Sequence, residues 1–441
     1  MSANPPEALT PGGHTRLIHQ MPTAIEGLLT VQQAIGILDA APVAPRILSV
    51  PLHEALGLIL AENIRSDRPY PPFDRSLMDG YAVRCADMAG PPVTLRVVGE
   101  IAAGQSPSSP LGAGQAVAIM TGAPLPPGAD GVVPVEEVIV GTDTIRIDRA
   151  IPAQRHVSRA GSNMPPGQVV LTAGTRLESP QLAAAAAVGA TTIRAFAAPR
   201  VAILATGDEV VPPDNSPGPA QIRNSNSIML AALLHRLGCR AVDLGLVPDR
   251  PELLRSALLK GLQLDALMVT GGMSMGRHDH VPRLLAELGA DLRITRLRIK
   301  PGKPFVFGQA DRSTVFANQC AAPLQCPAEG TCHVFGLPGN PVSAFVCAVR
   351  LAARLLPRLA GACYREQLLH ARLSADLPPN GPREFYQPAQ LRQTADGPIV
   401  HPLEWRGSAD VFTLARATAL IVRPENEPAR AAGTLASVLP I

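Results

Sequence analysis

Aromatic residues make up only 3% of this 441-residue chain, although hydrophobic residues account for 46%. Its cores must therefore be built from Leu, Val, Ile and Ala. Long apolar runs are also missing. No stretch reaches the length of a membrane span, and residues 1–25 contain Pro, Gly, His and Glu without an apolar signal core. Neither a membrane partner nor secretion is expected, and residues 1–25 read as a flexible tail. An excess of one charge is lacking too. The net charge is +3, with basic residues interleaved among acids, which gives no argument for a nucleic-acid partner. The seven cysteines are odd in number and mostly isolated, as suits a reducing, cytoplasmic setting. Lysine is scarce: Lys260, Lys300 and Lys303 are the only ones, and every other basic charge is arginine.

Proline (46 residues) and glycine (38) are abundant but follow no fixed period, so turns are frequent and repeats are not expected. The length predicts two to four domains. A short amphipathic helix is predicted from Thr30. Residues 93–148 alternate apolar and polar positions between Gly/Pro turns, a β-rich pattern. SPQLAAAAAVGA reads as a helix with Ser179 as N-cap and Pro180 at the first helical position. From about Arg200 the character changes. RVAILATG, RAVDLGLV and DALMVTGG read as strands, and SIMLAALLHRLG, PELLRSALLKGL and VPRLLAELG as helices. This βα alternation predicts an open, doubly wound α/β domain. After about Gly361 short strands return.

Ligands of a doubly wound sheet bind outside the carboxyl ends of its strands. Three glycine-bearing loops fall there: Thr206-Gly207-Asp208-Glu209, the run from Thr270 to Gly276, and Leu337-Pro338-Gly339-Asn340-Pro341. Glycines let backbone N–H groups approach an anion, and a following helix N-terminus favours negative charge. Asn340 and Pro341 suit the N-cap and first position of a helix. Between the last two loops, Lys300-Pro301-Gly302-Lys303-Pro304 presents two lysines on a proline-stiffened segment, suited to phosphate or an oxyanion. In the first half, Asp79-Gly80 lies within FDRSLMDGYAV, where Asp-Gly fits turn chemistry as well as a site. A second polar cluster comprises Met120-Thr121-Gly122, Asp130, Glu136 and Glu137.

Taken in order, FDRSLMDGYAV, IMTGAPLPPGADGVVP, TGDE, TGGMSMG, KPGKPFVFG and LPGNPVSAF resemble the molybdopterin molybdenumtransferases, the family that includes the gephyrin E domain, over residues 26–441. The resemblance implies an elongated four-domain homodimer. Residues 26–66 with 153–196 would form an elongated N-terminal domain, and 67–152 the β-rich domain carrying MDGYA. Residues 197–360 would form the α/β molybdopterin-binding domain, and 361–441 a small β-barrel-like domain. The implied reaction is Mg²⁺-assisted hydrolysis of adenylylated molybdopterin with transfer of molybdate onto the dithiolene sulfurs. Implied protein partners are a molybdopterin adenylyltransferase and molybdoenzyme acceptors.

By the same resemblance, Asp79, Glu209 and Asp279 are the expected catalytic residues, with Asp79 and Glu209 also handling metal. Thr121, Asp208, Ser274, Lys300, Lys303, Pro338, Gly339, Asn340, Pro341 and Ser343 are the expected substrate-binding set. This chain departs from the family pattern in having Ser162 and Asn163 for two acids, Asn224 for an Asp, and Arg277-His278-Asp279-His280 for a more acidic run. A carboxylate is a hard, charged ligand and an amide oxygen is not, so weaker Mg²⁺ binding is expected. A catalytically weakened paralogue that carries molybdopterin is the alternative. Molybdenum and tungsten oxyanions are too alike for the sequence to separate. An apparent insertion at 318–331, followed by Cys332, holds Cys320 and Cys326 at a spacing wider than a metal clip, and reads as a surface loop with free thiols.

Overall fold

The computed structural model describes residues 28–273, 280–317 and 330–441. The chain divides into two compact units, one of residues 44–199 with 357–363, the other of residues up to 43, 200–356 and 364–441.

In the first unit, a six-stranded sheet runs in the order 131–134, 80–83, 115–119, 93–101, 144–147, 138–140. Strand alternation places Val83 and Val133 on one buried face with Leu95, Ile145 and Ile147, and Ala82 and Val132 on the other with Val117 and Ile119. A second, three-stranded sheet joins Ile47–Pro51, Thr192–Phe196 and Ile59–Leu60. The helix Ser179–Ala187 packs in the same region, and Leu60, Leu177 and Ile193 form the core there. The helix is capped by Glu178 rather than Ser179. Glu178 donates its backbone N–H to Gln181 Oε1 at 3.3 Å, which moves Pro180 one place inward. No phenylalanine is buried among the described residues of this unit.

The second unit begins with α1 (Val31–Ala40), closed at its start by a capping box between Thr30 and Gln33. Its α/β part comprises β1 (Arg200–Thr206), α2 (Asn226–Arg236), β2 (Arg240–Val247), α3 (Pro251–Leu262), β3 (Ala266–Thr270), α4 (Val281–Glu287), β4 (Asp291–Ile294), β5 (Ile299–Lys300), β6 (Val306–Asp311), β7 (Thr331–Leu337) and α5 (Pro341–Cys347). The sheet order is β2-β1-β3-β7-β6-β4. The first four strands are parallel, while β6 and β4 pair antiparallel at one edge, so the doubly wound sheet is mixed there. Leu204, Leu267 and Val334 pack against Leu258 of α3 and Leu285 of α4. Val201 and Ile203, which point the other way, are equally buried. Both faces are thus covered, as a parallel sheet requires.

The C-terminal part is a closed barrel of β8 (Leu369–Leu373), β9 (Glu384–Thr394), β10 (Gly397–Pro402), β11 (Ala419–Arg423) and β12 (Leu435–Pro440), with α6 (Val411–Arg416) between β10 and β11. The ring closes through pairing of β9 with both β10 and β11. β5 adds to β9 in parallel, matching Ile299 with Glu384 and Lys300 with Phe385. This strand ties the lysine loop to the barrel. Among the described residues, no helix is long and apolar enough to cross a membrane. Cys332 lies on β7, fully buried with its thiol pushed up by burial and donating to the Gly261 carbonyl at 3.8 Å. It is therefore a core residue and not a loop thiol. Cys320 and Cys326 lie outside the described residues.

Candidate active site

The parallel neighbours β1, β3 and β7 end side by side: Ala205 is in register with Thr270, and Thr270 with Leu337. The three glycine loops therefore leave one sheet edge together, at the β1/β3 switch point. Glycine is required there. Gly271 has φ +89°, and a Cβ on it would collide with the Thr206 carbonyl oxygen. Gly207, at φ +142°, has the Glu209 carboxylate folded over it. Asp208 and Glu209 are both exposed.

The structure adds Asp249, which sequence reasoning missed. It follows β2 and accepts a short hydrogen bond from the buried Thr206 hydroxyl, while its N–H donates to Asp208 Oδ1 at 3.2 Å. Three carboxylates thus share two adjacent loops. Its signal was its place just past a strand in the same sheet, in a Pro-Asp turn that resembles any other.

The lysine loop is fixed from beneath. Gly302 adopts φ +125° and lies against Cys347, whose thiol donates to the Gly302 carbonyl at 3.6 Å. Leu297 N–H donates to the Lys303 carbonyl at 2.9 Å. Lys300 and Lys303 are exposed and line a cavity of about 560 Å³. Pro338, Asn340 and Ser343 come from the loop after β7 and the start of α5. The barrel contributes Arg383, Trp405, Arg406 and Ser408. None of the lining residues is acidic. Among the described residues, no carboxylate lies within ion-pair distance of Lys300 or Lys303. Four cationic side chains thus face one cavity that, among the described residues, has no acid in its lining.

Asn340 occupies the N-cap position of α5, with Pro341 at its first position, but its side chain makes no cap bond. Instead Asn340 Nδ2 donates to Ser408 Oγ at 3.0 Å, joining the loop to the barrel. That contact uses an acceptor lone pair of Ser408 and leaves its O–H free to donate. Ser343 is buried and Gly339 exposed. The Gly339 carbonyl accepts from Asn226 Nδ2 at 2.7 Å. Ser274, Arg277 and Asp279 lie outside the described residues.

In the other unit, Asp79 and Thr121 do come together. Asp79 Oδ1 accepts the Thr121 N–H at 2.7 Å and its hydroxyl at 2.9 Å. These donors, the backbone one foremost, hold the Asp79 carboxyl below the ordinary carboxylate range. The two loops are stitched by Ser76 N–H to the Ala123 carbonyl at 3.0 Å and Gly122 N–H to the Ser76 carbonyl at 2.8 Å. Gly80 opens a strand rather than a turn: a Cβ there would collide with the Val133 carbonyl oxygen of the neighbouring strand. Phe73, Leu77, Met78 and Met120 are exposed around this site. Two other acids of the polar cluster, Asp130 and Glu137, are occupied structurally. Asp130 accepts the Cys85 N–H at 2.7 Å, and Glu137 pairs with Arg155 at 2.8 and 2.6 Å. Asn224 is occupied too. Its Oδ1 accepts the Ser227 N–H at 3.1 Å, and its Nδ2 donates to Ser227 Oγ at 2.9 Å.

Among the described residues, no three His, Cys, Asp or Glu side chains form a ready-made metal cluster. Mg²⁺ needs none, because it is held by one or two carboxylates, retained waters and substrate phosphates.

Comparison with known proteins completes the picture. The family profile described as MoeA N-terminal region (domain I and II) matches residues 29–189, a probable molybdopterin binding domain matches 202–359, and MoeA C-terminal region (domain IV) matches 370–441. The chain is 32% identical to molybdopterin molybdenumtransferase 1 of Mycobacterium tuberculosis, across 90% of this chain and 95% of that protein. It is 34% identical to the molybdopterin molybdenumtransferase of Haemophilus influenzae, across 76% and 78%. A crystal structure of a molybdopterin biosynthesis MoeA protein from Pyrococcus horikosii superimposes with a TM-score of 0.77 at 30% identity, covering 94% of this chain and 99% of that one.

Proposed function

The chain belongs to the molybdopterin molybdenumtransferase family, and from that premise we propose how its residues divide the work of inserting molybdenum into molybdopterin. The observation that carries the reading is the cavity lined by Lys300, Lys303, Arg383 and Arg406 with no acid among its lining residues. Uncompensated cations with a free hydroxyl donor at Ser408 suit a small dianion such as molybdate. The switch-point edge beside β1, β3 and β7 is the place for the pterin and its adenylate phosphates, where backbone N–H groups and glycines admit anions.

Within that scheme, Glu209 and its neighbour Asp208, both exposed, supply carboxylate oxygens suited to Mg²⁺ alongside retained waters and substrate phosphates. Bound there, the ion would neutralise charge developing on the adenylate phosphates. Asp79, kept ionised by Thr121, is the second acidic group assigned to the reaction. Lys300 and Lys303 hold molybdate while the dithiolene approaches. The two thiol protons and one molybdate oxygen leave as water as two Mo–S bonds form.

The working form is proposed as a cytoplasmic two-fold homodimer. The chemical motifs are divided between two halves of the chain, C₂ is the commonest oligomer, and the apolar side chains around Asp79 suit burial on association. An adenylyltransferase supplying the substrate and apo-molybdoenzymes receiving the product would be its protein partners.

The experiment is complementation of a strain lacking its own molybdenumtransferase, read as molybdoenzyme activity, with molybdate and tungstate supplied in turn. Rescue by the wild-type chain is expected, and loss of rescue in Lys303→Ala. Failure of the wild-type chain to rescue, while it folds and accumulates, would overturn the reading. Mixing Asp79→Asn and Lys303→Ala chains tests the dimer: partial recovery is expected if one chain's acid serves the other's lysines.

A further inference from the structure

Lys300 has an unusual companion for a lysine in an anion site. Its ammonium stands 4.5 Å from the centroid of the Phe385 ring. Phe385 is buried and stacks on Trp405, with centroids 5.6 Å apart and planes inclined by 30°. Trp405 also lines the cavity and is the chain's only tryptophan. The arrangement is built into the backbone, because Lys300 and Phe385 are register partners in the β5–β9 pairing. β9 is itself anchored by the next residue: buried Tyr386 accepts from Arg350 Nε at 2.6 Å and donates to Glu384.

A carboxylate could hold a lysine in place equally well, but it would neutralise the charge and occupy the N–H donors. A ring face does neither. Its quadrupole attracts the ammonium, while the formal charge and the donors remain for an anion on the other side. In a chain with so few aromatics, two rings are stacked beneath one of three lysines.

We propose that Phe385, backed by Trp405, is the positioning residue for Lys300, an aromatic shelf that holds the ammonium toward the cavity with its charge uncompensated. This rests on the oxyanion reading of the cavity given above.

The test replaces Phe385 in the full-length chain by mono- and trifluorinated phenylalanines, which keep ring shape but progressively weaken the attractive ring face. Sodium molybdate is titrated calorimetrically, and each protein is melted. Molybdate binding should weaken stepwise, by about threefold to tenfold at the trifluorinated ring, with the melting midpoint unchanged. The same series in a Lys300→Ala background should be flat. A flat series in the Lys300 background, with Lys300→Ala itself weakening molybdate, would overturn the shelf and leave the cavity assignment standing. An equal loss in both backgrounds would also overturn it, since the ring would then act on cavity shape alone. Unchanged molybdate affinity in Lys300→Ala would remove the cavity assignment and the shelf together.

Discussion

In the unit of residues 44–199, Asp79 is held by two donors from one residue, Thr121, and among the described residues no cation lies within ion-pair distance of it. In the other unit, Lys300 and Lys303 have no carboxylate within ion-pair distance among the described residues, one lying over a phenyl ring and both on a loop locked by Gly302. The two solutions share a logic. On the proposed reading, a group that meets a charged ligand is fixed by neutral neighbours, so its charge is not spent internally. The ordinary ion pairs of the molecule, such as Arg423 with Glu427 and Arg354 with Asp39, serve structure instead. What separates the two regions is dependence on fold. Asp79 relies on two stitched loops, whereas the lysines rely on a sheet edge, a helix and a barrel together.

If that contrast holds, the largest effect should come from damaging the sheet edge. Gly271→Ala would combine a positive φ with a collision against the Thr206 carbonyl. We expect a loss of about 2–4 kcal/mol in a denaturant melt of the second unit. Gly122→Ala, at φ +83° with open space around the added carbon, should cost only about 1–2 kcal/mol in the first unit. Equal losses would break the comparison.

Next in size is Lys303→Ala. Its side chain is exposed and packs little, so stability should change by about 0.5 kcal/mol or less. Molybdate affinity should fall about tenfold or more, because a charge-assisted contact to a dianion is removed. Calorimetric titration and a thermal melt separate these outcomes. A marked drop in melting temperature with unchanged affinity would reassign the lysine to structure.

How much of this was legible in the sequence follows the same divide. The three switch-point loops were readable, because each is a glycine turn after an apolar run and parallel strands put such turns on one edge. Lys300 and Lys303 stood out against a chain that, Lys260 aside, otherwise uses arginine. The barrel's share of the cavity was not readable. Arg383, Trp405, Arg406 and Ser408 sit in connections outside the barrel strands without a motif, and the β5–β9 pairing and the Asn340–Ser408 contact bring them to the lysines. Asp249 was hidden because its role depends on which strand neighbours β1. The Asp-Gly of MDGYA suggested a turn, yet Gly80 is needed for close approach of a neighbouring strand. Asn340 looked like a helix cap by position, but its amide serves the barrel.

A smaller effect should appear at Asp79. Thr121→Val removes the hydroxyl donor and keeps the backbone one, so the Asp79 carboxyl should titrate at higher pH than in the wild type while staying below the ordinary range. The sign follows from linkage. A carboxyl lowered in the folded state favours folding above its unfolded pKa, and that contribution is lost as pH falls through the folded value. In the variant the contribution is smaller, and its loss is complete at a higher pH. Carboxyl-carbon NMR titration of Asp79 checks it, and an unchanged titration would mean the backbone donor acts alone.

The smallest effect is expected where the family pattern loses a carboxylate, at Asn224. Its amide is engaged at both ends with Ser227, just ahead of α2. In Asn224→Asp, one carboxylate oxygen can still accept the Ser227 N–H, and the Ser227 hydroxyl, no longer accepting, can turn to donate. Asn and Asp are nearly equal in such positions, and a negative charge at a helix start adds about 0.3–0.5 kcal/mol. Stability should therefore rise by about that amount at neutral pH, and the gain should vanish as the new carboxyl is protonated in acid. Because the side chain is committed to Ser227, Mg²⁺ affinity should stay as in the wild type. Adding Ser162→Glu and Asn163→Asp separates the positions, since among the described residues the side chains of Ser162 and Asn163 are held only by a 3.3 Å contact of Ser162 with Ser158 and a 3.5 Å contact with each other. If Asn224→Asp alone tightens Mg²⁺ binding in a calorimetric titration, its amide is standing in for a lost ligand. The weakened-carrier alternative would then gain support from this residue.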